Sequence, residues 1–209
     1  MRTAYLGPEG TFSHQAALLL APPETTLLPC PGLPEVFEAL DTGQATYGIV
    51  PVENRLEGSV GATLEGLKAT SACIQGELFL PVVHALLAPA GRTLAQVQRV
   101  HSHPQALGQC RGWLRMHLPG ASPVQRLSTA EAARACLEDP EGGAIASRLA
   151  AELMGLEVLA EGIQDSPDNA TRFLRLGPET PSPTGADRTS LLVQAQDRPG
   201  ALLAVLAPF

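Results

Sequence analysis

The chain has 209 residues, 44% hydrophobic and 17% charged, and its 21 Asp and Glu against 14 Lys and Arg leave a net charge of −7. Lys68 is the one lysine, so there is no basic stripe for general nucleic-acid binding. No run approaches the ~18 consecutive apolar residues of a membrane span, and a chain this long hides roughly 70% of its unfolded surface without help from disulfides or metal.

Residues 3–6 read as a short apolar strand, broken by Gly7-Pro8-Glu9-Gly10. Thr11 or Ser13 caps a helix running to residue 20, and a second helix over 33–40 opens with Pro34 and stops before Gly43. Residues 47–52 (YGIVPV) form a buried strand, and GSVGATLEGLKA from Gly58 forms a helix. Residues 78–88 are one long apolar extended stretch interrupted by Pro81, and 97–102 form another strand. Helices follow over 104–117 and 129–137, then a strand over 143–146, a helix capped by Ser147 to residue 154, and strands over 156–159 and 173–176. The alternation predicts βα units, with a mostly parallel sheet and helices on both faces. GPETPSPTGAD, residues 177–187, is a linker. Beyond it, RTSLLVQA predicts a strand over 189–195 and PGALLAVLA the start of a helix.

Cys30, Cys73, Cys110 and Cys136 show neither a CxxC nor a Cys/His metal spacing, and MRTAYLGPEGTFS has no charged-then-apolar leader. The expectation is a cytoplasmic protein with four free thiols and no metal. His101 and His103 sit two apart on an extended segment, which points them to opposite faces and argues against a shared metal.

In open α/β sheets, ligands sit beyond the carboxyl ends of the strands. The polar residues there are Gly7 to Ser13, Glu53-Asn54-Arg55, His101 to Gln105, Ser147-Arg148 and Asp168 to Phe173. Each also has an ordinary reading: GPEGT as a turn and cap, Glu53-Asn54 as a solvated turn, Thr171-Arg172 as strand-edge residues, Cys110 as a small core residue. Their convergence at equivalent strand ends is what predicts one cleft. A helix N-terminus after Gly10 would seat a carboxylate there.

Taken in order, YLGPEGTFSHQAA (residues 5–17), VPVEN..EGSV (50–60), HPQALGQC (103–110), AIAS (144–147) and NATRF (169–173) resemble the prephenate dehydratase family. DRPGAL (197–202) resembles the first strand-to-helix turn of the ACT regulatory domain that follows in that family. The resemblance implies a two-lobed, periplasmic-binding-protein-like (type II) α/β catalytic domain over 1–176. Lobe one would be about 1–77 and 160–176, lobe two about 78–159. The linker 177–187 would then lead to an incomplete, ferredoxin-like ACT piece over 188–209. The implied reaction takes prephenate to phenylpyruvate, losing CO2 and water, with no cofactor and no metal, in a homodimer or homotetramer.

By the same resemblance, Thr171 assists the leaving hydroxyl, Glu53 is the nearest stronger acid, and Asn54 and Gln105 position the substrate. Arg172 would meet a carboxylate, Gly10 and Thr11 a second one, with Ser102 a further contact and Phe173 orienting the pair. Gly200, Ala201 and Leu202 would supply half of a phenylalanine site, so the expectation is catalysis without ordinary phenylalanine feedback. Arg55 departs from the family, which has a small hydroxyl residue there, and leaves prephenate and its aminated relative arogenate both open. Other classes are a non-catalytic small-anion binder on the same fold and, from RPGAL alone, an amino-acid-binding regulator.

Overall fold

The computed structural model describes residues 1–191, 193 and 195–209. In chain order its elements are β1 (Arg2–Leu6), α1 (Phe12–Leu20), β2 (Thr26–Cys30), α2 (Leu33–Asp41), β3 (Tyr47–Asn54), β4 (Gly58–Ser59), α3 (Gly61–Ala69) and β5 (Cys73–Pro81). Then come β6 (Ala85–Ala88), a 3-10 turn (Leu94–Gln96), β7 (Arg99–Ser102), α4 (Pro104–Gln109), α5 (Arg111–His117), β8 (Ser122–Gln125) and α6 (Thr129–Glu138). The series closes with β9 (Gly142–Ala146), α7 (Arg148–Met154), β10 (Glu157–Glu161), β11 (Ala170–Gly177) and α8 (Ala201–Leu206).

The helices form where apolar spacing and caps agree. In α2, Leu33, Val36 and Phe37 recur at helical spacing and are buried. Ser128 caps α6 by accepting from the Glu131 amide, and Ser147 caps α7 by accepting from the Ala150 amide. Gly155 ends α7 in the left-handed region at φ 66°.

The strands make two sheets, ordered β2-β1-β3-β11-β5 (with β4 beside β3) and β10-β6-β9-β7-β8. This corrects the expected mostly parallel sheet. Among the described residues four strand pairings are parallel and five antiparallel. The apolar stretch expected over 78–88 is two strands in different sheets, β5 and β6, because the chain passes from one sheet to the other at 82–84. It returns between β10 and β11, so β11 enters the first sheet antiparallel to both neighbours. The helix expected over 104–117 is also two, meeting at Cys110.

The strand expected over 189–195 includes positions 192 and 194, which lie outside the described residues. Its described positions are not in a strand. The helix expected after Pro199 is α8, with Gly200 at φ 82° as its N-cap. Side chains also tie the linker and the segment after it to β5. Arg188 donates to Glu77 at 2.8 Å, and Gln75 donates to the Glu179 carbonyl at 2.9 Å.

An ion cluster fastens the far end of the second sheet. Arg99 Nε donates to Asp139 at 2.8 Å, and His101 Nε2 lies 2.8 Å from the same carboxylate. The Arg99 guanidinium, aided by His101, holds the Asp139 carboxyl well below the usual carboxylate range. A carboxyl depressed in the folded state stabilises the fold above its unfolded pKa, ~3.9 for Asp, and that contribution is lost as pH falls toward the folded value. Urea midpoints of the wild type and Asp139→Asn should therefore differ at pH 7 and converge below about pH 4. A gap that persists unchanged in acid would contradict this role.

All four cysteines are free thiols, with Cys30, Cys110 and Cys136 buried. Burial pushes the Cys110 thiol up to about 12 and that of Cys136 up to about 11, and raises Cys30 as well. Because the thiolate is the reactive form, a thiol reagent should label Cys73 alone in the native protein and all four after unfolding without reductant. Fewer than four in the unfolded chain would reveal a disulfide.

Candidate functional site

Between the two sheets lies a cavity of about 600 Å³. The loop after β1, the N-terminus of α1 and the end of β3 border it from one side, and α4 and the first turns of α6 from the other. The two crossings between sheets supply Val82, His84 and Asn169. Its position beyond the ends of β1, β3 and β7 is the ligand position of open α/β sheets, and its size suits a small molecule.

Thr171, Asn54, Thr11 and Gln105 all line this cavity. Thr171 and Asn54 are directly paired across β11 and β3, which puts both side chains on one face. Asn54 Nδ2 donates to Thr171 Oγ1 at 2.8 Å. The Leu56 and Glu57 amides donate to Asn54 Oδ1 at 3.0 and 3.1 Å, which fixes the orientation of the carboxamide. Since Asn54 fills an acceptor site on the Thr171 oxygen, the hydroxyl's own proton is left to be donated.

Beside this pair, His84 Nε2 lies 2.9 Å from Gln109 Oε1, which also accepts from Asn169 Nδ2 at 3.3 Å. Gln109 in turn donates to Glu57 at 3.4 Å. Burial lowers the His84 pKa, with the Gln109 bond partly opposing, so His84 is a neutral imidazole donating through Nε2 at pH 7. Phe12 packs edge-on against its ring.

Several expected site residues fall elsewhere. Glu53 and Arg172 form the next cross-strand pair after Asn54 and Thr171, and strand alternation turns them to the opposite face. Glu53 is exposed there. Arg172 donates through Nε to Glu77 at 2.8 Å and lies 5.7 Å from the Phe79 ring centroid, so it does not meet a carboxylate in the cavity. Phe173 is buried in the core with Tyr5, Ala16, Ile49 and Leu80 and does not line the cavity.

The expected carboxylate seat at Gly10 and Thr11 is also occupied by the protein itself. The Gly10 amide donates to His14 Nδ1 at 3.1 Å, and the Thr11 hydroxyl donates to the Pro8 carbonyl at 2.9 Å while capping α1. Gly10 instead joins the two halves. Its carbonyl accepts from Ser147 at 2.7 Å, and a Cβ there would meet Ala150 at 3.3 Å and Ala130 at 3.5 Å. Ser102 is fully buried and donates to the Ile145 carbonyl at 2.7 Å, tying β7 to β9. Arg55 reaches the Asp168 carbonyl at 3.0 Å and adds no cation to the cavity. Gly200, Ala201 and Leu202 lie at the start of α8, away from it.

The cavity wall also holds residues with no role expected from the sequence, namely His84, Gln109, Ser128, Thr129, Glu131, Arg134 and, within the expected Asp168 to Phe173 stretch, Asn169. Asn169 stands in the NATRF segment and Gln109 in HPQALGQC, so both were within reach of the sequence. Arg134 on α6 carried no signal beyond an ordinary helix face. Among the described residues no three His, Cys, Asp or Glu side chains gather as a metal-binding group, and no helix is long and apolar enough to cross a membrane.

Two mixed sheets flanking a cleft, with a donor hydroxyl held in its wall, define an α/β protein built around a small-molecule site. The family model described as prephenate dehydratase matches residues 3–181, and the chain belongs to that family. It is 43% identical to the bifunctional chorismate mutase/prephenate dehydratase of Aquifex aeolicus over 209 residues, covering all of this chain but only 58% of that protein. A solved prephenate dehydratase from Arthrobacter aurescens, in complex with L-Phe, matches with a TM-score of 0.86 and 36% identity, over all of this chain and 71% of the other. A structure described as GqqA, a novel type of quorum quenching acylase, matches with a TM-score of 0.76 and 32% identity, over 99% of this chain and 76% of the other.

Proposed function

We propose that the chain is the catalytic unit of a prephenate dehydratase, converting prephenate to phenylpyruvate with release of CO2 and water. The reading rests on the Thr171 hydroxyl, held by Asn54 at 2.8 Å in the cleft wall. In the reaction the bond to the ring carboxylate breaks as CO2 leaves, its electron pair enters the ring, the C–O bond to the hydroxyl breaks, and the departing hydroxide takes up one proton from solvent to leave as water. Aromatisation supplies the driving force. The protein adds stabilisation of the departing oxygen, which counts only if it is stronger in the transition state. A Thr hydroxyl is a weak acid, so Thr171 acts as a positioned donor to the developing negative charge. Gln105 and the Gln109–His84–Asn169 group hold the substrate around it.

The two sheets act as two lobes of periplasmic-binding-protein type, with residues 1–176 as the catalytic part and 188–209 as an ACT-like segment. Leu202, Leu203 and Leu206 of α8 are exposed, which favours a homodimer or homotetramer that covers them. The setting is cytoplasmic.

The purified protein mixed with prephenate should form phenylpyruvate. Arogenate and an acyl-amide substrate run in parallel separate the alternatives: turnover of either one, with prephenate untouched, would overturn the assignment.

A further inference from the structure

With Arg172 turned to the opposite face, a dianionic substrate needs its cation from elsewhere. Arg134 is the one arginine in the cavity wall. It stands one turn after Glu131 on α6, and among the described residues it forms no ion pair. Glu131 also lines the cavity, but its Oε2 accepts from the Leu127 amide at 2.9 Å and it makes no ion pair with Arg134. A side chamber of about 420 Å³ adjoins the cavity, sharing His103, Leu127 and Glu131 with it. Its wall carries Arg126, whose buried Nε has no hydrogen-bond partner. Arg134 thus faces the cleft from the second sheet's side and Arg126 lines the adjoining chamber, while the first sheet contributes the neutral donors Asn54 and Thr171.

This separation has a chemical meaning for a reaction that loses one carboxylate and keeps the other. A guanidinium against the departing carboxylate would stabilise the ground state more than the transition state, in which that charge moves into the ring, and would slow the step. Against the retained carboxylate the charge is the same in both states, so a guanidinium there binds substrate without penalising the chemistry. Resting on the dehydratase reading, we infer that Arg134, backed by Arg126, receives the retained pyruvyl carboxylate. The substrate then lies with its side chain toward α6 and its ring hydroxyl toward Thr171. Arg134 is a specificity-determining residue: it selects substrates that carry an acid at that end.

Arg134 is exposed on its helix, so Arg134→Gln should fold as the wild type does, and Arg134→Lys gives a charge-retaining control. In Arg134→Gln, KM for prephenate should rise roughly ten- to hundredfold, the worth of one charged hydrogen bond, with kcat nearly unchanged, as for an interaction equal in ground and transition states. Arg134→Lys should recover part of the loss, and Arg126→Gln should show a smaller rise in KM. A direct binding comparison adds a readout independent of turnover. Wild type should prefer phenylpyruvate to its methyl ester, and Arg134→Gln should lose that preference. If wild type turns over prephenate while Arg134→Gln keeps both its KM and its acid-over-ester preference, the inference fails and the dehydratase reading stands. If wild type leaves prephenate untouched, the dehydratase reading fails, and the acid-over-ester comparison alone decides whether Arg134 receives a carboxylate. A rise in kcat together with the raised KM would place Arg134 at the departing carboxylate and overturn the orientation.

Discussion

Thr171→Ala should lower turnover of prephenate by roughly 10²–10⁴, the range for a positioned acid or donor, with little change in stability or product affinity. The side chain sits at the beginning of β11, whose ladder to β3 and β5 is made by backbone groups that the substitution leaves intact. Thr171→Ser keeps the oxygen that Asn54 addresses and should retain much of the activity. Asn54→Ala should also be slow, because the carboxamide that holds the hydroxyl is gone. If Asn54 works through Thr171, the double variant should be little worse than Thr171→Ala alone, since residues acting as one unit are not additive. Near-wild-type turnover in Thr171→Ala would remove the hydroxyl from the mechanism.

Phe173→Ala should cost about 3–5 kcal/mol of folding stability, the usual loss for an aromatic side chain deleted from a packed core. Phe173 is only 1% exposed and packs with Tyr5, Ala16, Ala17, Ile49 and Leu80. On strand alternation it lies on the same face as Thr171, two residues on, so the ring props the floor of the cleft from beneath. Phe173→Leu retains much of the apolar volume and should lose less. Urea unfolding monitored by circular dichroism gives both values, and KM of the folded Phe173→Leu protein separates packing from contact. A stable Phe173→Ala protein with a raised KM would return Phe173 to the substrate's surroundings.

The order of strands and helices was readable because buried strands such as β3 are continuous apolar runs and the helices carry Ser and Pro at their starts. Thr11, Asn54, Gln105 and Thr171 were readable as cavity residues because each follows or opens a strand or helix at the ligand-binding edge. What escaped was mostly at the sheet margins. β2 and β8 are edge strands containing Pro29 and Pro123; an edge tolerates proline because one side of the strand needs no ladder, so the sequence there resembles a loop. The partition of Thr171 from Arg172, and of Asn54 from Glu53, follows from the two-residue period alone. Which member of each pair turns inward depends on the register of β11 against β3, including the irregularity between Arg172 and Phe173. That register is a long-range fact. The same holds for Gly10, whose neighbours Ala130 and Ala150 lie more than a hundred residues away in sequence.

The placement of β11 between β3 and β5 has a consequence for the nascent chain. The second sheet is drawn entirely from residues 85–161 and is complete once these have left the ribosome. The first sheet, although its opening strands are synthesised earliest, lacks its inner strand until Gly177 has emerged. Until then β3 and β5 each present an unmatched edge, the kind of surface that recruits foreign strands. Synthesis from the N-terminus normally lets early segments settle first, but here the half made first must wait for the half made second.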